Sequence, residues 1–261
     1  MSWWNFGKKK IGLVLGGGVA RGLAHVGVIR VLDKNKIPID YIAATSSGAM
    51  VGVLYAAGLD IGKIEEIALK ISWGSLLRLA FFRPGLVTSQ GVEKFVVDYV
   101  GDKDFSELKI PLACVASDIM TGEAVVFKKG KVAKAVAASA AFPGLFIPVE
   151  AAQKYCVDGG IANNLPVDVV EEMGANFVIA SDVIPSKPAT ITLKDPLQVF
   201  GRSLDIMLHK TSLENRKRAD VLIEPYINED VWHLDLHKAK HLIAAGEVAA
   251  QRIMNLIKLL T

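Results

Sequence analysis

The chain has 261 residues, of which 51% are apolar, with a net charge of +3 and only two cysteines. That length supports one sizeable core, and the mild, dispersed positive charge excludes the dense basic stripe of a nucleic-acid binder. Cys114 and Cys156 lie in apolar runs without metal or redox spacing, which excludes a disulfide scaffold and reads as two reduced core residues.

Residues 1–10 form an N-terminal arm in which Trp3, Trp4 and Phe6 precede Lys8, Lys9 and Lys10. Indoles beside cations suit a headgroup interface, and equally an arm packed on the domain. No signal peptide is expected, because the apolar run after the lysines is too short. The small-apolar stretch 132–149 contains Lys134, Pro143 and Pro148, so it is not expected to span a membrane. A cytoplasmic location follows, with peripheral contact at the inner membrane surface kept as an expectation.

Residues 11–15 read as a short apolar strand running into Gly16-Gly17-Gly18-Val19-Ala20-Arg21-Gly22 and then a helix to about Asn35. A glycine run that opens a helix exposes backbone N–H groups at a positive dipole end and is an anion site by construction. A dinucleotide fingerprint would need glycine where Arg21 stands, and a P-loop would need lysine where Leu23 stands. The oxyanion of a reaction is the anion left to consider.

A second apolar strand at 41–44 meets a helical segment at 51–57 through Thr45-Ser46-Ser47-Gly48. Strand, sharp turn and helix make the layout of a nucleophile elbow, G-x-S-x-G with Ala44 in the first glycine place. Ser46 is the candidate nucleophile, although serine among small residues also punctuates turns. Both strands belong to one βαβ unit, so they are expected to be parallel and adjacent, with both turns at the carboxyl edge of the sheet.

Helices at 61–71 and 91–99 flank an irregular apolar stretch, 72–88, which fits a cover over a pocket, a membrane-facing patch or ordinary core. Strands at 112–117 and 124–127 are joined by a turn at 118–122. A small-residue helix at 132–138 is then stopped by Ser139-Ala140-Ala141-Phe142-Pro143. In Tyr155-Cys156-Val157-Asp158-Gly159-Gly160, Asp-Gly between apolar runs is a hairpin signal, and Asp158 is also the base that a serine nucleophile needs. A strand at 176–181, a helix at 196–218, a strand at 221–223 and an amphipathic helix at 234–260 complete one α/β domain, 1–261, without repeats or linkers.

The five histidines leave a rival open. His25 is placed in a helix behind the glycine loop, while His209, His233, His237 and His241 follow Asp158, so the order Ser-Asp-His of a triad is available. His233, His237 and His241 fall four apart, which fits a solvated helix face better than a metal stripe, since ligands so spaced on one helix converge poorly.

Four of these pieces together resemble the patatin-like lipid acyl hydrolases, especially their small bacterial members. Gly16 to Gly22 is similar to that family's oxyanion loop and Thr45-Ser46-Ser47-Gly48-Ala49 to its elbow. Asp158-Gly159-Gly160 is similar to its D-G-G/A motif, and Ser139 to Pro148 to the S-x-x-x-P-x-x-F-x-P stretch before it. Order and spacing agree over residues 11–182; Ala44 and Val19 depart from the pattern. The resemblance implies a three-layer αβα fold around a mostly parallel sheet and a lipid or fatty acyl ester substrate, with no cofactor, metal or nucleic acid. It also implies a Ser46–Asp158 dyad, with Gly16, Gly17, Gly18 and Arg21 as the oxyanion group. The N–H groups of Gly17 and Gly18 would bind the oxyanion, and Arg21 would fix the loop or face a headgroup. A non-catalytic regulator binding acyl lipid or acyl-CoA in the same crevice is the alternative that Ala44 permits.

Overall fold

The computed structural model describes residues 9–76, 78–79, 87–184, 186, 196–227 and 235–261. Its strands are β1 (Ile11–Leu15), β2 (Tyr41–Thr45), β3 (Arg78–Leu79), β4 (Val87–Thr88), β5 (Leu112–Asp118), β6 (Ala124–Phe127), β7 (Val149–Ala151), β8 (Lys154–Asp158), β9 (Phe177–Ser181) and β10 (Val221–Ile223). Its helices are α1 (Ala24–Lys34), α2 (Ser47–Ala56), α3 (Ile61–Lys70), α4 (Trp73–Leu76), α5 (Gln90–Val100), α6 (Val132–Ser139), α7 (Gly160–Asn163), α8 (Val167–Glu172), α9 (Pro196–Arg218) and α10 (Ala239–Leu260).

β10, β9, β1, β2 and β5 lie side by side and parallel, and β6, β7 and β8 add antiparallel pairs at the β5 end. The central strands are continuous apolar runs because both of their faces are covered. Alternation sorts them: Leu13, Leu15, Ile42, Cys114 and Ile179 face a core shared with α1, α2, α3, α5, α6 and α10. Val14, Ala43, Val115 and Val178 face a smaller core shared with α8. The result is a three-layer α/β fold.

β5 determines where the site forms. It is seven residues long and pairs with three strands. β2 matches its first part (Ile42↔Leu112 to Thr45↔Val115), β6 pairs from Cys114 to Ser117, and β8 pairs from Ala116 to Asp118. A strand has two edges, and β6 overlaps both of the others, so β2 and β8 share one edge end to end. Asp158, the partner of Ala116, therefore follows directly above Thr45.

Three expectations change in the structure. Asp158-Gly159 is not a hairpin turn, because β8 has already reached its partner strand and the chain continues into α7. The hairpin lies upstream, where Ala152 (φ 50) and Gln153 (φ 60) form a two-residue loop between β7 and β8 with both residues at positive φ. Residues 72–88 are not wholly irregular: α4 and a β3–β4 pair form there, with residues 77 and 80–86 outside the described part. Finally, the last helix begins at Ala239 after a short 3-10 turn, Leu236–Lys238. Residues 1–8 of the N-terminal arm and His233 also lie outside the described residues.

Candidate active site

Ser46 sits between β2 and α2 at φ 54, ψ −123. A non-glycine residue held in such a sparsely populated region costs about 1–3 kcal/mol and persists only where its surroundings enforce it. Here Ser46 donates its N–H to Ser139 Oγ at 2.8 Å, and the Ser139 hydroxyl donates to the Val115 carbonyl at 2.5 Å. Two turns into α2, a Cβ built on Gly52 would lie 3.4 Å from the Ala44 methyl, ordinary contact.

The Ser46 hydroxyl donates to Asp158 Oδ2 at 2.5 Å, and the other carboxylate oxygen accepts the Gly160 N–H at 2.9 Å. Asp158 is held through its backbone as well. Its N–H donates to the Ala141 carbonyl at 2.9 Å, and its own carbonyl accepts the Ser117 hydroxyl at 2.9 Å. Burial raises its carboxyl pKa from 3.8 to about 6, against the opposing pull of the hydrogen bonds from Ser46 and Gly160.

The glycine loop is pinned plane by plane. The Gly16 N–H extends the β9 ladder to the Ser181 carbonyl at 3.0 Å, and the Gly17 N–H goes to the Asn164 carbonyl at 3.2 Å. Asn164 Nδ2 returns a bond to the Gly17 carbonyl at 3.3 Å, and the Gly18 N–H goes to Ser47 Oγ at 3.1 Å. Two of the three glycine amides are thus taken by backbone carbonyls, and the third by a side-chain hydroxyl beside Ser46. Arg21 donates to Asp205 of α9 at 2.7 Å in a buried pair that ties the loop to that helix.

His25 lies in α1 behind the loop. Its Nε2 is 2.8 Å from the Gly16 carbonyl and its Nδ1 2.9 Å from Ser181 Oγ. A carbonyl only accepts, so Nε2 carries the proton and Nδ1 accepts the Ser181 hydroxyl. Burial lowers its pKa from 6.5 to about 4 and keeps the ring neutral.

From Ser46 a cavity of about 350 Å³ runs between the helices of the larger core. Val19, Leu23, Met50, Leu54, Trp73 and Phe95 are among the residues lining it, and among the described residues of its wall the hydroxyls are those of Ser46 and Ser47. Trp73 and Leu76 bring the stretch after α3 into this wall, and Val19 reaches it at φ 49. A lining of this kind, apolar except for a few polar groups, has the character of a site for an apolar ligand.

The sequence-predicted Ser46, Asp158 and glycine loop therefore converge at one edge of the sheet. Ser139, Asn164 and Ser47 fix them in place, roles that sequence reasoning missed. Ser139 stands at the start of the S-x-x-x-P stretch and Asn164 is the second of two asparagines after Gly160, but neither spacing specifies a hydrogen-bond partner. As for the triad, the hydrogen bonds described for the Asp158 carboxylate come from Ser46 and Gly160, and His237 is exposed on a 3-10 turn. Among the described residues no three His, Cys, Asp or Glu side chains are grouped to hold a metal ion, and no helix is long and apolar enough to cross a membrane.

Comparison with known proteins gives matches in sequence and in fold. The family model described as patatin-like phospholipase matches residues 13–170. An uncharacterized NTE family protein of Mycobacterium bovis is 30% identical over 269 residues, covering 93% of this chain and 46% of that protein. Lysophospholipase NTE1 of Debaryomyces hansenii is 33% identical over 181 residues, covering 67% of this chain and 12% of that protein. The chain thus spans about half the length of the first relative and a small part of the second. Among solved structures, VipD from Legionella pneumophila shares the fold with a TM-score of 0.54 at 14% identity, over 95% of this chain and 66% of VipD.

Proposed function

The chain belongs to the patatin-like phospholipase family, a family of lipid hydrolases, and on that premise we propose that it is a serine acyl hydrolase working through a Ser46–Asp158 dyad. Its substrates are fatty acyl esters of lipids, cleaved in the manner of a phospholipase A or lysophospholipase. One observation carries this reading: the 2.5 Å contact between a strained serine and a buried carboxylate, with the serine in the wall of an apolar chamber.

Each feature has a chemical part. Asp158 removes the Ser46 proton as the hydroxyl oxygen attacks the ester carbonyl; the alcohol leaves with that proton, and water then releases the fatty acid from the acyl-enzyme. A carboxylate of pKa near 4 is a poor base at neutral pH, so the shift to about 6 brings Asp158 closer to the strength the step needs. The Gly18 N–H is the oxyanion donor we assign, exchanging the Ser47 hydroxyl for the developing charge at the positive end of α2. The Gly17 peptide, held by Asn164, keeps that donor in position.

Two measurements test this. Purified protein is expected to hydrolyse p-nitrophenyl esters, with longer chains preferred, and Ser46→Ala to lose that activity by about 10³-fold or more. No turnover by a folded protein that also resists fluorophosphonate labelling at Ser46 would leave a non-catalytic lipid binder instead. In addition, kcat/KM on a soluble ester is expected to fall tenfold per pH unit below about 6, because the base must be ionised. A limb centred near 4 would mean that burial does not tune Asp158.

A further inference from the structure

α9 presents two different faces. Gly201, Asp205 and Ser212 are buried, and Leu208 packs against Gly160 beside the dyad. On the opposite side, Val199, Phe200, Ile206 and Met207 are each between 44% and 54% exposed. Positions 199 and 206, like 200 and 207, are seven apart, so they align along the helix as one stripe two turns long. Soluble helices put polar side chains on such a face; here only Ser203 interrupts it.

The stripe is continuous with the chamber. Phe200 contributes both to the exposed face and to the cavity wall, and Gly201 lines the wall next to it. One turn beyond Met207 the same face carries exposed Lys210, and farther along it exposed Leu213 is followed by Glu214 and Lys217, which pair with each other. An apolar end at the mouth with the Lys210 ammonium directly behind it complements the two layers of an anionic lipid surface, hydrocarbon and phosphate. The Arg21–Asp205 pair, on the buried side of the same helix, fixes this face relative to the glycine loop.

Resting on the acyl-hydrolase reading, we propose that the amino-terminal half of α9 is a bilayer-docking surface. It sinks Val199, Phe200, Ile206 and Met207 below the headgroups of an anionic phospholipid membrane. A lipid acyl chain then passes from the bilayer along Phe200 into the chamber without crossing water. Docking through one apolar stripe is reversible and needs no spanning segment.

The test uses the full chain carrying Ser46→Ala, so that vesicles are not consumed, with and without the pair Ile206→Glu and Met207→Glu. Neither of these residues lines the chamber. Co-flotation with vesicles of phosphatidylcholine and phosphatidylglycerol is expected for the parent and to fall about tenfold or more in the pair variant, whose carboxylates replace inserted hydrocarbon. In the active background the same pair is expected to keep wild-type kcat/KM on a soluble p-nitrophenyl ester and to lose hydrolysis of vesicle lipid.

The outcomes separate the two proposals. Ser46-dependent ester hydrolysis with unchanged flotation by the pair variant would overturn the docking surface and leave the hydrolase standing. Flotation that the pair abolishes, without any hydrolysis, would keep the docking surface and remove the hydrolase. A dimer in sedimentation that dissociates in the pair variant would assign the stripe to a second copy of the chain and overturn membrane docking.

Discussion

Asp158→Asn is expected to be as inactive as Ser46→Ala and, at neutral pH, more stable than the wild type. The loss of activity follows from chemistry: an amide cannot take the serine proton, and general-base catalysis is worth about 10²–10⁴-fold. The gain in stability follows from burial. Folding moves the Asp158 carboxyl pKa from 3.8 to about 6, so above pH 6 the native state carries a charge it would rather not have. At about 1.4 kcal/mol per pKa unit, the neutral amide removes a cost of about 3 kcal/mol at pH 7. Asparagine can still accept the Gly160 N–H and donate to Ser46, so little hydrogen bonding is lost.

The pH dependence supplies an internal control. A raised carboxyl pKa stabilises the wild type fully below about 3.8, and that contribution is lost as pH rises through about 6. His25 has the opposite sign. Its folded pKa of about 4 lies below the unfolded value of 6.5, so its contribution is present above 6.5 and lost as pH falls through 4. Between about 4 and 6 the two slopes cancel in the wild type. Asp158→Asn keeps only the histidine slope and should lose about 1.4 kcal/mol per pH unit over that range, converging on the wild type near pH 4. Urea unfolding of both proteins at several pH values reads this directly. An Asp158→Asn protein less stable than wild type at pH 7 would show that the carboxylate is held by its hydrogen bonds more than it is penalised by burial.

What could be read from the sequence were features that local chemistry dictates. β1, β2 and β9 are uninterrupted apolar runs, and α9 and β10 have in the structure the bounds 196–218 and 221–223 that pattern assigned them. The glycine run, Ser46 and Asp158 carry their chemistry in residue type and order. Less legible was anything decided by tertiary pairing. No local signal says that β2 and β8 share one edge of β5, although that arrangement brings Asp158 to Ser46. The β7–β8 hairpin turns on Ala152 and Gln153, residues that do not advertise positive φ, while the stronger Asp-Gly signal six residues later serves the site. Likewise a glycine loop announces free amides, and only the structure reveals that Gly16 and Gly17 spend theirs on Ser181 and Asn164.

Gly48→Ala is the substitution expected to damage the scaffold most for its size. Gly48 lies in the first turn of α2, and in an ordinary helix exchanging glycine for alanine stabilises by about 1 kcal/mol. Here the sign reverses. A Cβ on Gly48 would lie 2.2 Å from the Leu15 carbonyl oxygen and 2.7 Å from that of Gly16, backbone atoms of β1 and its glycine loop that cannot rotate away. α2 must retreat from β1, and Ser46, whose φ of 54 is enforced in part by the bond to Ser139 and by this close approach, moves with it. Overpacking of this kind costs about 1–3 kcal/mol, and a displacement of about 1 Å at the nucleophile costs about 10²-fold in rate. Gly52→Ala is the matched control one turn along: its Cβ would meet only side chains, at 3.3 to 3.5 Å, so it should be neutral or slightly stabilising with turnover intact. Thermal unfolding and ester kinetics on the two variants separate helix propensity from contact with β1. If both alanines stabilised equally and both proteins turned over at the wild-type rate, the approach of α2 to the glycine strand would not be what holds Ser46 in its strained conformation.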